Sequence, residues 1–251
     1  MVVRCLGLAL LLAGLARGAA ASGFLDLSGH RLDLVAEGGV LWTPTMDIHG
    51  YRQSNATRNW NTVAPTVRLE AWLTRPDALA IGIVLQPQFL SYEDTIRNPL
   101  SYRGQQFRAG EAGKLDYRYN SARLTANYDV WAGEATELRV GVSLLFRYAE
   151  VELRSPSARF TRTDFVVAPL LNLAASTRVA DGFSLVARAD LFPAARNAGF
   201  YDIFAGVRAD LAGGRAFEFG SRTFFGGYLP EKENDFGNRV VFQGIVGRFV
   251  F

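Results

Sequence analysis

Val240-Val241-Phe242-Gln243-Gly244-Ile245-Val246-Gly247-Arg248-Phe249-Val250-Phe251 ends the chain, and its residues alternate between two faces. One face, counted back from the last residue, is almost entirely apolar or aromatic. A period of two residues is the pattern of a β-strand, whose side chains point to opposite sides of a sheet in turn. The end of the chain is therefore predicted to be a strand, which must pair with other strands of the chain in a sheet.

The same alternation recurs along the chain, most regularly in 138–148, where Leu138, Val140 and Val142 alternate with Arg139 and Gly141. In each segment the apolar residues share one parity, which means that they all occupy odd-numbered or all even-numbered positions. In the fourth segment this parity changes near Asn120-Ser121, which predicts a β-bulge. Ten segments are predicted as strands, and they are approximately 31–42, 67–74, 79–89, 115–128, 138–148, 164–175, 185–191, 201–211, 217–225 and 241–251.

The predicted connections alternate between short and longer ones. The short ones are 75–78, 130–136, 179–182 and 212–215, and the longer ones are 43–64, 92–113, 154–160, 192–199 and 229–238. Short periplasmic turns and longer outer loops are typical of bacterial outer-membrane barrels. We therefore expect an all-β protein, a transmembrane antiparallel up-and-down β-barrel of about ten strands with both termini in the periplasm.

The start of the chain has the features of a secretory signal peptide. An apolar run follows Arg4 and ends at Ala19-Ala20-Ala21, a small-residue cleavage site. Residues 1–21 are thus predicted to be removed on export, which leaves 22–251 as one barrel domain. The single cysteine, Cys5, lies in the removed segment. The mature chain keeps a formal charge of only about +1, which does not suggest a nucleic-acid partner.

Charged residues recur on the parity opposite to the apolar one. Facing inward, they would line a polar lumen of small bore, in which the two signs can pair. Parity alone leaves a soluble β-sandwich or lipocalin-like barrel open as the alternative. The predicted lumen-lining charges are Arg68, Glu70, Asp116, Arg118, Arg139, Arg147, Arg188, Asp190, Arg208, Asp210, Glu218, Arg222 and Arg248.

The terminal run resembles the C-terminal assembly signal of bacterial outer-membrane proteins, with Ile245, Phe249 and Phe251 at its alternate positions. This resemblance implies recognition by the barrel-assembly machinery. The mature chain is similar to the small outer-membrane barrels of the porin-like superfamily, which include families of unassigned function. The resemblance thus implies a Gram-negative outer-membrane location, with outer-membrane lipid and lipopolysaccharide as partners.

Outer-membrane enzymes of similar barrel size have catalytic motifs that can be looked for in the sequence. Ten-stranded omptin proteases resemble the chain in strand number, but neither His30 nor His49 has an aspartate beside it. The His and Ser spacing of lipid A deacylases is also absent. A palmitoyltransferase-like arrangement would need a rim histidine with aspartate and serine from other loops, for which His49, Ser91 and Asp94 are the weak catalytic candidates.

Arginines cluster toward the predicted outer ends of the strands. Guanidinium groups suit phosphate oxygens, so Arg154, Arg159 and Arg162 are possible lipopolysaccharide contacts, although a hydrated charged rim explains them as well. No metal-ligand motif, phosphate loop or nucleotide fingerprint occurs in the sequence, so neither a metal nor another cofactor is expected.

Two functions follow from these patterns. The first is a non-enzymatic integral outer-membrane barrel, either structural or a narrow pore with a charged, largely filled lumen. Such a bore is expected from ten strands, because eight leave a filled interior and about 16 an open channel. The second is an outer-membrane lipid-modifying enzyme whose site lies at the extracellular rim near His49.

Overall fold

The computed structural model describes residues 31–50, 63–75, 79–102, 105–195, 198–228 and 236–251. The predicted signal peptide, residues 1–21, lies outside the described residues. No helix in the described ranges has the length and apolar character needed to cross a membrane. The strands are β1 Arg31–Gly50, β2 Val63–Thr74, β3 Leu79–Thr95, β4 Leu100–Tyr102, β5 Gln105–Phe107, β6 Ala112–Ala132, β7 Thr136–Arg154, β8 Arg159–Ala180, β9 Phe183–Ala195, β10 Ala198–Asp210, β11 Ala216–Tyr228 and β12 Phe236–Val250.

Ten of these strands close a barrel in the order β1-β12-β11-β10-β9-β8-β7-β6-β3-β2, and all neighbours are antiparallel. The closing pair is β1 with β12, in a register that sets Glu37 opposite Arg248. The predicted ten-stranded antiparallel barrel is confirmed. The two remaining strands, β4 and β5, form a small hairpin in the connection from β3 to β6, which the sequence pattern did not predict.

The two ends of the barrel differ. At the turn end, where β1 begins and β12 ends, four short connections join the strands. One of them is the tight turn between β8 and β9, where Gly182 adopts a φ of 74° that favours glycine. At the opposite loop end, β9 and β10 continue to Ala195 and Ala198, so the loop predicted over 192–199 is mostly strand.

The apolar parity faces outward around the barrel. Large apolar side chains are exposed there, among them Val142 at 64% and Phe219 at 55%. The charged parity faces inward and is largely buried. A soluble barrel has the opposite arrangement, so the soluble alternative is wrong. Outward apolar positions on the strands include Val40, Ile83, Leu124, Val142, Val167, Leu185, Ile203, Phe219 and Ile245.

Strand β7 shows how far this apolar surface extends. Every outward position from Leu138 to Tyr148 is apolar or aromatic, and the next outward positions, Glu150 and Glu152, are charged. The apolar part is thus about 11 residues long, the length that a tilted strand needs to cross a bilayer. Aromatic side chains lie near the turn end of the outer surface, as in the aromatic belts of membrane barrels. They include Trp131, Phe183, Phe217 and Phe251.

The bulge predicted near Asn120-Ser121 is wrong. The register of β6 with β3 and with β7 is continuous there, and an irregularity occurs instead between Asp129 and Trp131. Tyr117 and Tyr119 point inward and are buried. The apolar pattern changed parity because the inner face itself becomes apolar toward the loop end.

Candidate functional site

The middle of the lumen is filled by ion pairs that span it. Asp202 on β10 accepts hydrogen-bonding contacts from three arginines on three other strands. Its carboxylate oxygens lie 2.7 Å from Arg68 on β2, 2.6 Å from Arg123 on β6 and 2.6 Å from Arg222 on β11. Because β2 and β6 lie on the side of the barrel opposite to β10, this carboxylate ties together walls that share no backbone hydrogen bonds.

A second centre forms around Arg248 on β12. Its guanidinium lies 3.1 Å from Glu37, 3.1 Å from Glu70 and 3.0 Å from Glu218. Arg222 also contacts Glu37, at 2.6 Å. The two centres therefore share Arg222 and form one network.

The ion-pair layer, as we name this network, contains five arginines and five carboxylates. Arg188 joins it through two parallel hydrogen bonds of 2.7 Å to Glu218, and Asp190 joins it through Arg123 at 2.7 Å. Its formal charge is zero. The members are Glu37, Arg68, Glu70, Arg123, Arg188, Asp190, Asp202, Glu218, Arg222 and Arg248.

Neutrality and pairing are what make such a layer possible inside a barrel. An unpaired ion in a low-dielectric interior costs several kcal/mol, and pairing with good geometry offsets that cost. The amides of Asn127 and Asn172 extend the network: Asn127 donates to Asn172 at 3.1 Å, and Asn172 donates to Asp190 at 2.7 Å. Removing one partner would leave its neighbours charged and buried.

An aromatic layer, Tyr119, Phe200, Phe224 and Phe242, covers the ion-pair layer on the side of the loop end. Phe224 stacks on Phe242 with ring centroids 4.8 Å apart and planes 7° from parallel. It also contacts Tyr119 at 4.8 Å and Phe200 at 5.8 Å. All four side chains are buried. Together they form an apolar partition across the lumen.

Cation-π contacts join arginines of the ion-pair layer to aromatic rings. The guanidinium carbon of Arg123 lies 5.2 Å from the ring centroid of Phe200. Deeper in the lumen, Phe204 is contacted by Arg222 at 5.6 Å and Arg248 at 5.1 Å. Guanidinium groups are attracted to the faces of aromatic rings, so the layers attract each other.

The loop end carries a further cover. The hairpin of β4 and β5 ends at Phe107, which is buried in the same apolar cluster as Ile96 and the inward tyrosines of β6. Ser157, in the turn between β7 and β8, donates a hydrogen bond of 2.5 Å to Glu111, and its hydroxyl oxygen lies 3.2 Å from the carbonyl oxygen of Gln106. These contacts hold the connection from β3 to β6 against the rim.

Eleven of the thirteen predicted lumen charges lie on the inward parity, and seven of them belong to the ion-pair layer. These seven are Arg68, Glu70, Arg188, Asp190, Glu218, Arg222 and Arg248. The other four lie outside the layer. Arg147 contacts Asp164 nearer the loop end, while Arg139, Arg208 and Asp210 lie at the turn end.

Asp116 and Arg118 do not line the lumen, so their prediction is wrong. Both lie on the outward parity of β6, beyond the apolar surface, at the loop end. Asp116 accepts from Ser91 at 2.6 Å and from Arg154 at 2.7 Å, and Arg118 pairs with Glu150 at 3.1 Å. The error follows from the predicted bulge, which had reversed the parity of this part of β6.

The three members of the ion-pair layer that the prediction missed are Glu37, Arg123 and Asp202. Each lies on the inward parity of its strand, so strand alternation would have found them. Alternation does not show that they lie at the centre of the lumen, because Asp202 and Arg123 come from strands far apart in the chain.

Two of the weak catalytic candidates, Ser91 and Asp94, are not brought together. Ser91 and Asp94 lie on opposite parities of β3, and each has another partner: Ser91 donates to Asp116, while Asp94 accepts from Tyr92 at 3.3 Å. The backbone of His49 lies in β1, opposite Gly237 of β12, and β2 separates β1 from β3. Ser91 and Asp94 therefore do not form the predicted site with each other, and the side chain of His49 lies outside the described residues.

The rim at the loop end holds two of the three arginines predicted to contact lipopolysaccharide. Arg154 and Arg159 both pair with Glu152, and their side chains are 43% and 69% exposed. Arg162 has the inward parity of β8, shared with Phe160. The predicted assembly residues Ile245, Phe249 and Phe251 lie toward the end of the chain, where the rings of Phe249 and Phe251 are 4.7 Å apart.

Within the described residues, no group of three or more His, Cys, Asp or Glu side chains is placed to hold a metal ion. The carboxylates of the lumen are instead used by arginines. The middle of the lumen is therefore filled and electrically neutral.

Comparison with known protein families finds no match to this sequence, and no curated protein matches it. Solved structures do match. The outer-membrane protease OmpT from Escherichia coli is similar with a TM-score of 0.56 at 9% identity, over 88% of this chain and 96% of that one. The translocator domain of the autotransporter NalP from Neisseria meningitidis has a TM-score of 0.43 at 14% identity, over 96% of both chains.

At such low identity the likeness to OmpT shows the fold and not the activity. The likeness agrees with the closed antiparallel barrel that the sequence predicts and the structure has. The chain is therefore a small β-barrel of the bacterial outer-membrane type, with ten strands.

Proposed function

We propose that the protein is a non-enzymatic integral outer-membrane barrel of structural type, with a lumen that does not conduct ions. One observation carries this proposal: a neutral layer of five arginines and five carboxylates fills the lumen beneath an aromatic layer. Of the structural barrel and the narrow pore that the sequence left open, this interior favours the structural barrel.

An ion crossing this interior would meet two barriers in series. In the ion-pair layer it would have to separate buried charges that are already paired at 2.6 to 3.1 Å. In the aromatic layer it would lose its hydration without gaining polar ligands, which is costly for any charged species. Both barriers consist of side chains from rigid strands, so they are not displaced by the movement of one loop.

Conductance across planar bilayers tests this proposal. Purified wild-type protein is expected to give no stepwise current above background. The triple substitution Arg222→Ala, Phe224→Ala and Phe242→Ala shortens both layers at one place and is expected to produce stepwise current, provided that the variant still folds. The matched control is Phe219→Ala, on the outer face of the same strand as Arg222, and it should stay silent. Stepwise current through the wild type would overturn the proposal.

The location and orientation are part of the proposal. We propose export by a signal peptide, residues 1–21, and recognition of Ile245, Phe249 and Phe251 by the barrel-assembly machinery, with both termini and the turn end in the periplasm. The outward apolar surface and the terminal strand support this. The mature chain has no cysteine, so single cysteines can report topology.

In intact cells, a membrane-impermeant maleimide is expected to label Ser157→Cys at the loop end but not Asp181→Cys at the turn end. Both variants should be labelled after the outer membrane is permeabilised. Labelling of Asp181→Cys alone in intact cells would show the opposite orientation.

We further propose that Arg154 and Arg159 contact lipopolysaccharide phosphates. Both lie on the outer face just beyond the apolar surface, and a guanidinium that pairs with a carboxylate keeps further N–H donors. The double substitution Arg154→Gln and Arg159→Gln is expected to lower the amount of lipopolysaccharide that copurifies with the barrel. Arg162→Gln is the control, because Arg162 has the inward parity. Equal amounts in all three proteins would contradict this contact.

A further inference from the structure

A cavity penetrates the lumen from the turn end. Its inner part, of about 140 Å³, reaches the ion-pair layer at Arg68 and Asp202, and its outer part, of about 320 Å³, lies at the barrel mouth. Arg31, Arg139, Arg188 and Arg208 line both parts, so the two adjoin each other. We call this cavity the turn-end vestibule.

The mouth of the vestibule is rich in arginine. Five arginines, one from each of β1, β7, β8, β9 and β10, line it together with three carboxylates, Glu134, Glu137 and Asp210. Strand alternation points them into the vestibule, since all five occupy inward positions in the turn-end halves of their strands. The five arginines are Arg31, Arg139, Arg178, Arg188 and Arg208.

Several of these guanidinium groups keep unused donors. Arg139 contacts Asp129 through Nε, and Arg208 donates from Nε to Asp210 at 2.8 Å. A guanidinium has five N–H donors, so both terminal nitrogens of Arg139 remain available to a ligand. In Arg208, Nη1 lies 3.7 Å from Glu218, which leaves Nη2 available. The guanidinium of Arg178 has no side-chain partner among the described residues.

The inner part of the vestibule also has a buried acceptor, on Asn127, without a hydrogen-bond partner in the described part of the chain. Asn127 is 5% exposed, and its Oδ1 accepts no hydrogen bond from any described residue. A buried acceptor without a donor costs free energy, so a bound molecule with a protic group would be favoured here.

We propose that the turn-end vestibule binds a small free anion that carries carboxylate or phosphate oxygens. Guanidinium groups bind such oxygens in pairs of charge-assisted hydrogen bonds, and walls of low dielectric strengthen the attraction. The inner end of the vestibule is closed by the ion-pair layer, so the anion would enter and leave from the turn end. The site is thus a binding pocket and not a passage.

Isothermal titration of the full mature barrel, in nonionic detergent free of phospholipid, tests this inference with inorganic phosphate and citrate as probes. Saturable one-to-one binding of at least one probe is expected. Because phospholipid is absent, a signal would report a free anion and not a lipid headgroup. No saturable binding of either probe would overturn the proposal.

Variants then locate the site. Arg178→Gln removes a cation without leaving a carboxylate unpaired and is expected to weaken binding several-fold, while Arg139→Gln with Arg208→Gln should weaken it by about tenfold or more. Arg118→Gln, on the outer face, should leave the dissociation constant unchanged. Circular dichroism checks that each variant folds. Unchanged binding in folded Arg178→Gln and in the folded double variant would show that the vestibule is not the site.

Discussion

Arg68 on β2 donates to Asp202 on β10 at 2.7 Å, although 134 residues separate them in the chain. The contact crosses the lumen, because the two strands belong to opposite walls of the barrel. It is one of three arginine contacts to the same carboxylate. The stability of the barrel should therefore depend on Asp202 more than on any charge at the rim.

Asp202→Asn removes this carboxylate charge and leaves Arg68, Arg123 and Arg222 with an excess of buried positive charge. We expect the free energy of unfolding in lipid vesicles to fall by about 3–5 kcal/mol, as found when one partner of a buried ion pair is removed. Asp210→Asn is the control: its partner Arg208 lies at the exposed mouth, so the loss should stay below about 1 kcal/mol. Equal losses would contradict a central role for Asp202.

Phe224→Ala opens a cavity in the aromatic layer between Phe242, Tyr119 and Phe200. A loss of about 3–5 kcal/mol in the free energy of unfolding is expected, since the surrounding strands relax only partly. Phe219→Ala, on the outer face of the same strand, should cost less, because lipid chains fill the space. Denaturant titration of both variants measures the difference, and an equal cost would argue against a tightly packed layer.

Gly220→Ala places a methyl group against the neighbouring strand. The added Cβ would lie 2.2 Å from the carbonyl oxygen of Ala205, so the backbone must shift. A loss of about 1–3 kcal/mol in the free energy of unfolding is expected from such overpacking. Gly38→Ala is the matched control, because nothing lies within 4 Å of its added Cβ. If Gly220→Ala is as stable as the control, the backbones of β10 and β11 do not approach each other as closely as described.

Ser157→Ala tests the cover at the loop end. The hydrogen bond from the Ser157 hydroxyl holds the pKa of the Glu111 carboxyl below its ordinary value. Because the folded pKa is lowered, this bond contributes stability above the unfolded pKa, and the contribution is lost as the pH falls through the folded pKa. In Ser157→Ala the pKa of Glu111 should rise toward its ordinary value in a carboxyl NMR titration. Ser184→Ala, at the turn end, should leave it unchanged, and an unaltered pKa in Ser157→Ala would exclude the contact.

Much of the barrel could be predicted because its signals are local. Alternation in 138–148 identifies the two faces of β7, and the turn before Gly182 separates β8 from β9. The failure at Asn120-Ser121 has a physical cause: alternation marks the outer face only while the inner face is polar. Near the loop end Tyr117 and Tyr119 make the inner face apolar as well, so hydrophobicity no longer separates the faces.

The candidate sites were less predictable. His49, Ser91 and Asp94 were grouped because all three were expected at one rim, yet Ser91 and Asp94 lie on opposite parities of β3. The turn-end vestibule was not predicted, since it depends on inward arginines from five strands that meet only when the barrel closes. The sequence shows locally that a residue lies near the end of a strand, but it does not show which side chains from different strands meet.

The sequence by itself determined the ten barrel strands, their order and, outside the loop-end part of β6, which side chains face inward, because strand alternation and tight turns act over a few residues. Only the tertiary structure decided which inward charges meet. Closure of β1 on β12 and the tilt of the strands place Asp202 beside Arg68 and Arg123 and set the aromatic layer above them. The charges in each strand were visible in the chain, but their pairing across the lumen depends on the geometry of the closed barrel.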